Sequence, residues 1–238
     1  MNYQPAVQAS VEEALQKPRH SALVRIAHWL VVASVLGLFL TGFGILISHP
    51  RLYWGETGAV GAPSLVDLPL PFVIGPSVWN RPIHFLFAWM LVFPGLIYVV
   101  AGLFTRHFSR NLLPRKTELT SQHIMGTISA HLRWKRTAAD DAWTYNVVQR
   151  ITYLAVIFAL FPAIVWTGLA MSPALMSVFP WMVTVLGGHQ SARTLHFVFV
   201  VLLLLFFIVH VAMLFLVGFA SHVRAMITGR IPQERRLP

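Results

Sequence analysis

Four stretches of this chain, at about 26–47, 82–104, 147–171 and 193–220, are apolar for long enough to cross a bilayer, and none of them contains an Asp or Glu. A transmembrane helix needs about 20 predominantly apolar residues, because every backbone polar group in lipid must be satisfied within the segment. The first stretch is too long and begins too late for a cleaved signal peptide, and no small-residue cleavage site follows it. Composition agrees: 56% of residues are hydrophobic and 11% charged, where a soluble domain carries about 25% charge. The expected fold is all-α, an integral membrane four-helix bundle forming a single domain over 1–238. Two further apolar stretches, at about 65–79 and 174–187, are broken or bounded by Pro69, Pro71, Pro76, Pro173 and Pro180, so they belong at the membrane interface.

The net charge of +10 is distributed as a topology signal. Lys17, Arg19 and Arg25 precede the first span; Arg106, Arg110, Arg115, Lys116, Arg133, Lys135 and Arg136 lie between the second and third; Arg224, Arg230, Arg235 and Arg236 follow the fourth. Only Arg51, Arg81 and Arg193 fall on the other side. The positive-inside rule then places both termini and the 105–146 loop in the cytoplasm, and the 48–81 and 172–192 connections outside. In a bacterium this is the inner (cytoplasmic) membrane, with those connections in the periplasm. A nucleic-acid partner is not expected, since the basic residues flank apolar runs instead of forming one basic face.

The outward 48–81 loop is rich in proline, glycine and aromatics, which suits an ordered irregular surface, and a connection of that length is usually functional. In the 105–146 loop Ile124, Ile128 and Leu132 recur at four-residue spacing beside Lys and Arg, a pattern for a short amphipathic helix on the lipid surface. Ser10 followed by Glu13 resembles a capping box near the N-terminus.

The chain has no cysteine, which excludes disulfides, thiolate metal sites, Cys-ligated clusters and covalent attachment of haem through C-x-x-C-H. It has eleven histidines, and four of them, His28, His84, His196 and His210, lie in spans. An ionisable group inside a membrane is costly, so these four are the functional candidates. His196 and His210 are 14 residues apart, about 21 Å along a helix and about 40° from the same face. One helix thus presents an imidazole near each membrane surface. With spans alternating in direction, His28 matches His210 in depth on the cytoplasmic side, and His84 matches His196 on the outer side. Two stacked bis-histidine haems b in a four-helix bundle follow, because imidazole suits iron and bundle cores build sites from facing helices. A proton relay or a packing role is the competing reading of intramembrane histidines.

Three of the four histidines share a local pattern: Arg25-Ile-Ala-His28-Trp29, Arg81-Pro-Ile-His84-Phe85 and Arg193-Thr-Leu-His196-Phe197. The arginine sits one turn nearer the water, where haem propionates would need a cation. The alternative is a snorkelling anchor at the helix end. His210 has Phe207 in the corresponding position.

These features resemble the bacterial cytochrome b561 superfamily, which includes the cytochrome b subunits of nickel-iron hydrogenases and formate dehydrogenases. The resemblance runs from Arg25 to His222 and rests on R-x-x-H-W in the first span, R-x-x-H in the second and the two histidines 14 apart in the fourth. Tyr145-Asn146-Val147-Val148-Gln149-Arg150 is similar to the family's Y-N-x-x-Q-[KR] signature. The segment from His49 to Gly58 is similar to a thiosulfate-reductase-type subgroup associated with periplasmic molybdopterin oxidoreductases. The resemblance implies haem ligation by His28, His84, His196 and His210. It also implies that Asn146 and Gln149 contact a quinone, the alternative being that these amides cap the third span or bind the neighbouring loop.

The expected function is electron transfer between the quinone pool and a periplasmic redox partner docked on the outer loops, this chain being the quinone-reactive membrane subunit of an oxidoreductase. The alternative within the superfamily is a stand-alone superoxide:quinone oxidoreductase, which would favour a basic, open outer surface. A haem-free anchor is the third class.

Overall fold

A computed structural model describes residues 21–56, 62–70, 75, 77–114, 118–120, 125–126, 129 and 147–229. Its frame is four helical spans: α1 (Ala22–Ser48), α2 (Asn80–Phe104), a compound third span and α8 (His189–Val217). A short α3 (His107–Asn111) follows α2. The third span consists of α4 (Val147–Ala155), a π-helical turn (Val156–Leu160) and α5 (Phe161–Ala170). Two short helices, α6 (Pro173–Val178) and α7 (Trp181–Thr184), lead into α8, and α9 (Phe219–Thr228) follows it. The expected all-α bundle of four spans is the observed fold.

Local chemistry explains the boundaries. Ser21 caps α1 by accepting from the Val24 amide at 3.4 Å. In α2, Pro82 lies in the first turn, where its missing N–H would have had no intrahelical partner. Pro162 lies inside the third span and cannot donate to the preceding turn. The wide turn immediately before it, where the Phe161 amide reaches the Val156 carbonyl, absorbs that interruption without ending the span. The fourth span was expected at 193–220, but α8 starts at His189 and stops at Gly218, whose φ of 119° ends the helix and turns the chain into α9.

The spans pack as two helical hairpins. α1 lies against α2, and α5 lies against α8. Phe39 of α1 joins them by packing on the cluster of Val156, Ile164 and Leu203 with Phe161, Phe199 and Phe206. The outward faces remain apolar and uncovered, with Leu40 76% and Phe104 87% exposed. Surfaces of that kind on four long helices are covered by lipid, not water.

The connections at the α1–α2 end are ordered by specific bonds. The Gly55 carbonyl accepts from the Gln190 and Ser191 amides at 2.9 and 3.3 Å, and the Gly55 amide donates to Ser191 Oγ at 2.8 Å. These bonds satisfy two donors at the start of α8 that no helical carbonyl could reach. Thr194 donates to the Tyr53 carbonyl at 2.7 Å, and Arg193 donates to the His49 carbonyl. Gly188 permits this approach: its φ is 114°, and a Cβ there would lie 2.5 Å from the Gly55 backbone. The 48–81 loop, expected to be irregular, also contains a two-residue antiparallel ladder, β1 (Arg51–Leu52) with β2 (Val66–Asp67), with Arg51 and Asp67 paired across it at 3.3 Å. At the opposite end of the bundle α9 folds back on α1, where Arg25 Nη1 donates to the Ile227 carbonyl at 2.6 Å and Trp29 Nε1 to the Met226 carbonyl at 3.2 Å.

The capping box at Ser10 and Glu13, and the amphipathic pattern at Ile124, Ile128 and Leu132, lie outside the described residues.

Candidate haem sites

The two hairpins bring the four span histidines together in two pairs. His84, in the first turns of α2, faces His196, in the second turn of α8, with ring centroids 6.4 Å apart and ring planes at 71°. His28 and His210 lie within electrostatic reach of each other toward the other end of the bundle. Both pairs therefore join one helix of the first hairpin to the last helix of the second.

A bis-histidine iron site makes a definite demand on such a pair. A metal–imidazole bond is about 2 Å long and the nitrogen sits about 1 Å from its ring centre, so two rings holding one ion from opposite sides have centroids about 6 Å apart. The His84–His196 separation meets that demand without any rearrangement of the helices. The surroundings fit as well. Gly42 and Gly168 lie beside the two rings, and a Cβ at either would sit 3.4 Å from the Cε1 of His84 or His196. That is ordinary contact distance, so both glycines flank the rings closely.

Cations converge at the same end. Arg81 and Arg193 are close enough to interact electrostatically with each other, and among the described residues neither is in an ion pair with a carboxylate. Two like charges held together in this way suit an anion shared between them, which is the part a haem propionate would play. His49, at the end of α1, joins the cluster. Its pKa is held below the ordinary histidine value by partial burial first, and then by the positive charges of Arg193 and Arg81. It was not among the four span histidines singled out from the sequence, and the bond of its carbonyl to Arg193 is what places it here.

Arg25, the third member of the R-x-x-H pattern, lies toward the other end of the bundle and, like Arg193, donates to a backbone carbonyl of a distant segment. It is committed through Nη1 to the end of α9, while its buried Nε has no partner among the described residues. Around the inner pair the contacts are with aromatic rings. His210 stacks on Phe206 at 5.8 Å and meets Tyr153 edge-on at 6.4 Å, and His28 meets Trp29 edge-on at 5.5 Å. Phe207, which replaces arginine three residues before His210, packs on Phe39 at 6.4 Å.

Of the two amides at the start of the third span, Asn146 lies outside the described residues, and Gln149 is half-buried in the first turn of α4. Beside it Arg150 forms a 2.8 Å ion pair with Glu118, which ties the start of this span to the 105–146 loop.

Sequence reasoning did not find Thr41, Thr167 and Tyr153. Thr41 Oγ1 lies 2.9 Å from His84 Nδ1, and Thr167 Oγ1 lies 2.9 Å from His196 Nδ1. The available signal was a Thr-Gly pair, 41–42 and 167–168, late in each of the two spans that lack an outer histidine.

Comparison with known proteins agrees with this architecture. Residues 19–229 match the family described as prokaryotic cytochrome b561. Over 198 residues the chain is 30% identical to a protein of Azospira oryzae named as a putative protein-methionine-sulfoxide reductase subunit, YedZ1, covering 83% of this chain and 90% of the relative. No solved structure matches the chain significantly. The match spans all four helices and both histidine pairs, so the chain belongs to the prokaryotic cytochrome b561 family and is a multi-pass bacterial membrane protein of haem b electron transfer.

Proposed function

We propose that the protein binds two haems b, one between His84 and His196 and one between His28 and His210, and exchanges electrons between a bilayer quinone and a periplasmic redox subunit. The observation that carries this reading is the 6.4 Å approach of His84 and His196 from separate hairpins, with Arg81 and Arg193 converging at the same end. Bound there, haem b supplies a one-electron carrier at each end of the bundle. The protein's own contribution is to hold the ligands in facing positions, to neutralise the propionates with Arg81 and Arg193, and to keep water from the ligand rings with Phe206, Tyr153 and Trp29. Arg25 serves the inner site through its Nε, which has no partner among the described residues, while anchoring α9.

The basic residues flanking the spans orient the His84–His196 end toward the periplasm and both termini toward the cytoplasm. Gln149, in the first turn of α4, then stands toward the inner pair, and its amide, with that of Asn146 three residues earlier in the sequence, is the proposed donor to quinone carbonyls. The outer loop offers the docking surface: its first residues are bonded to the opening turns of α8, and Trp54, 57% exposed, projects from the segment held over the His196 helix. The Azospira relative, named as a reductase subunit, supports assembly with an oxidoreductase partner, for which the 49–58 segment suggests a molybdopterin enzyme.

Purification from native membranes tests the partner. A co-purifying periplasmic oxidoreductase that exchanges electrons with the haem is the expected result. A chain recovered alone, with haem reduced rapidly by superoxide, would replace this reading with the stand-alone superoxide:quinone oxidoreductase. An alkaline pyridine haemochrome assay is expected to give two haems b per chain, and a value below one would leave only a haem-free anchor.

A further inference from the structure

Thr41 and Thr167 occupy equivalent places in the two hairpins. Each lies late in the first helix of its hairpin, each is followed by a glycine, and each hydroxyl is 2.9 Å from Nδ1 of the histidine on the hairpin's second helix. The hydroxyl protons are already committed. Thr41 donates to the Gly37 carbonyl at 2.7 Å and Thr167 to the Ala163 carbonyl at 2.8 Å, each one turn back in its own helix. A threonine hydroxyl has one proton and two lone pairs, so with the proton used the oxygen can only accept from the imidazole. With that carbonyl bond kept, the partner that suits each hydroxyl oxygen is an Nδ1–H, and the tautomer that carries it leaves Nε2 bare.

We infer that Thr41 and Thr167 are the positioning residues of the outer haem, fixing His84 and His196 in the Nδ1–H tautomer and orienting the bare Nε2 atoms for iron. This rests on the assignment of those two histidines as haem ligands. The near-complete burial of Thr167, 1% exposed, shields its bond from competing water. Gly42 and Gly168, each following its threonine, lie beside the same rings at contact distance. A hydrogen bond accepted from the far ring nitrogen also raises the basicity of the ligating one. It thereby favours the ferric state and lowers the midpoint potential of the outer haem.

The test uses the full-length protein with Thr41→Val, Thr167→Val and the matching serine variants. Haem content, the optical components, the ferric electron paramagnetic resonance signal and the potentiometric midpoints are read for each. Each valine is expected to raise the outer midpoint and shift its resonance signal, by about tenfold in the one-electron equilibrium or about 59 mV, while the inner component stays in place. Serine is expected to restore the wild-type values. Loss of the outer component in a valine variant, with retention in serine, supports the same conclusion because only the hydroxyl differs in kind. Valine variants with an unmoved outer midpoint and signal, or serine variants that behave as valine does, overturn it. The ligation reading is judged separately: it fails if His84→Ala and His196→Ala leave haem content and both optical components unchanged.

Discussion

The two ends of the bundle meet the same chemical requirement, a pair of imidazoles from two helices, with different surroundings. At the His84–His196 end each ring is bonded to a threonine of its hairpin partner, arginines converge beside it, and the 49–56 segment is sewn onto the start of α8. At the His28–His210 end the described neighbours of the rings are Trp29, Phe206 and Tyr153, and the nearby arginine is partly used in holding α9. Hydrogen bonds fix a ring's rotation and tautomer, whereas stacked and edge-on aromatics fix its position mainly by shape. On the proposed reading, the first end gives its two rings a defined geometry beneath a loop held on α8. The second is apolar and adjoins the start of the third span, where a lipid-soluble partner could approach from the bilayer.

The largest effect that would break this comparison is on haem itself. His84→Ala and His196→Ala should each remove the same optical component and halve the haem content, and His28→Ala and His210→Ala should remove the other. Any variant that removes a mixture of components would show that the ends are not separate sites. Next is the closed loop. Gly188→Ala should destabilise the protein by about 2 kcal/mol or more, because a left-handed φ is imposed on alanine and its Cβ meets the Gly55 backbone. Gly55→Ala, with open space around its Cβ, should cost about 1 kcal/mol from its φ of 98° alone. Thermal melts in detergent that rank these two in the reverse order would show that the loop is not pressed onto α8.

A smaller change is expected at the inner end. Gln149→Ala or Asn146→Ala should slow reoxidation of the haem by quinone severalfold while both optical components stay intact. Unchanged rates in stopped-flow measurements would remove the quinone assignment from these residues. Smallest of all is Asp67→Asn, which breaks an ion pair whose two side chains are mostly exposed and should alter stability by less than about 1 kcal/mol. A large drop in melting temperature would mean that the β1–β2 ladder matters more to the loop than its two residues suggest.

Much of the fold could be read because the bilayer leaves few choices. The spans fall close to their expected positions, and the departures are local, such as the stop at Gly218. The histidines could be read for a related reason, since imidazoles in otherwise apolar helices need a purpose. Thr41 and Thr167 escaped notice because a lone threonine in an apolar helix is ordinarily satisfied by the carbonyl one turn back, a bond that both in fact make. Their second bond depends on which helix lies alongside and at what height, and periodicity within one helix carries no such information. The same holds for His49, whose place among Arg81 and Arg193 comes from a loop bond to a residue 144 positions away.

Hydropathy, charge placement and the positions of four histidines thus determined by themselves that this chain is a membrane bundle with an imidazole pair toward each face. Those properties are sums over segments, and the lipid and water phases act on each segment independently of its neighbours. Only the tertiary structure decided how closely the outer rings approach, which hydroxyls lie against them, and which distant backbone carbonyl each of Arg25 and Arg193 reaches. These are questions of relative position between helices far apart in the chain, and they are settled by packing at the scale of a single hydrogen bond.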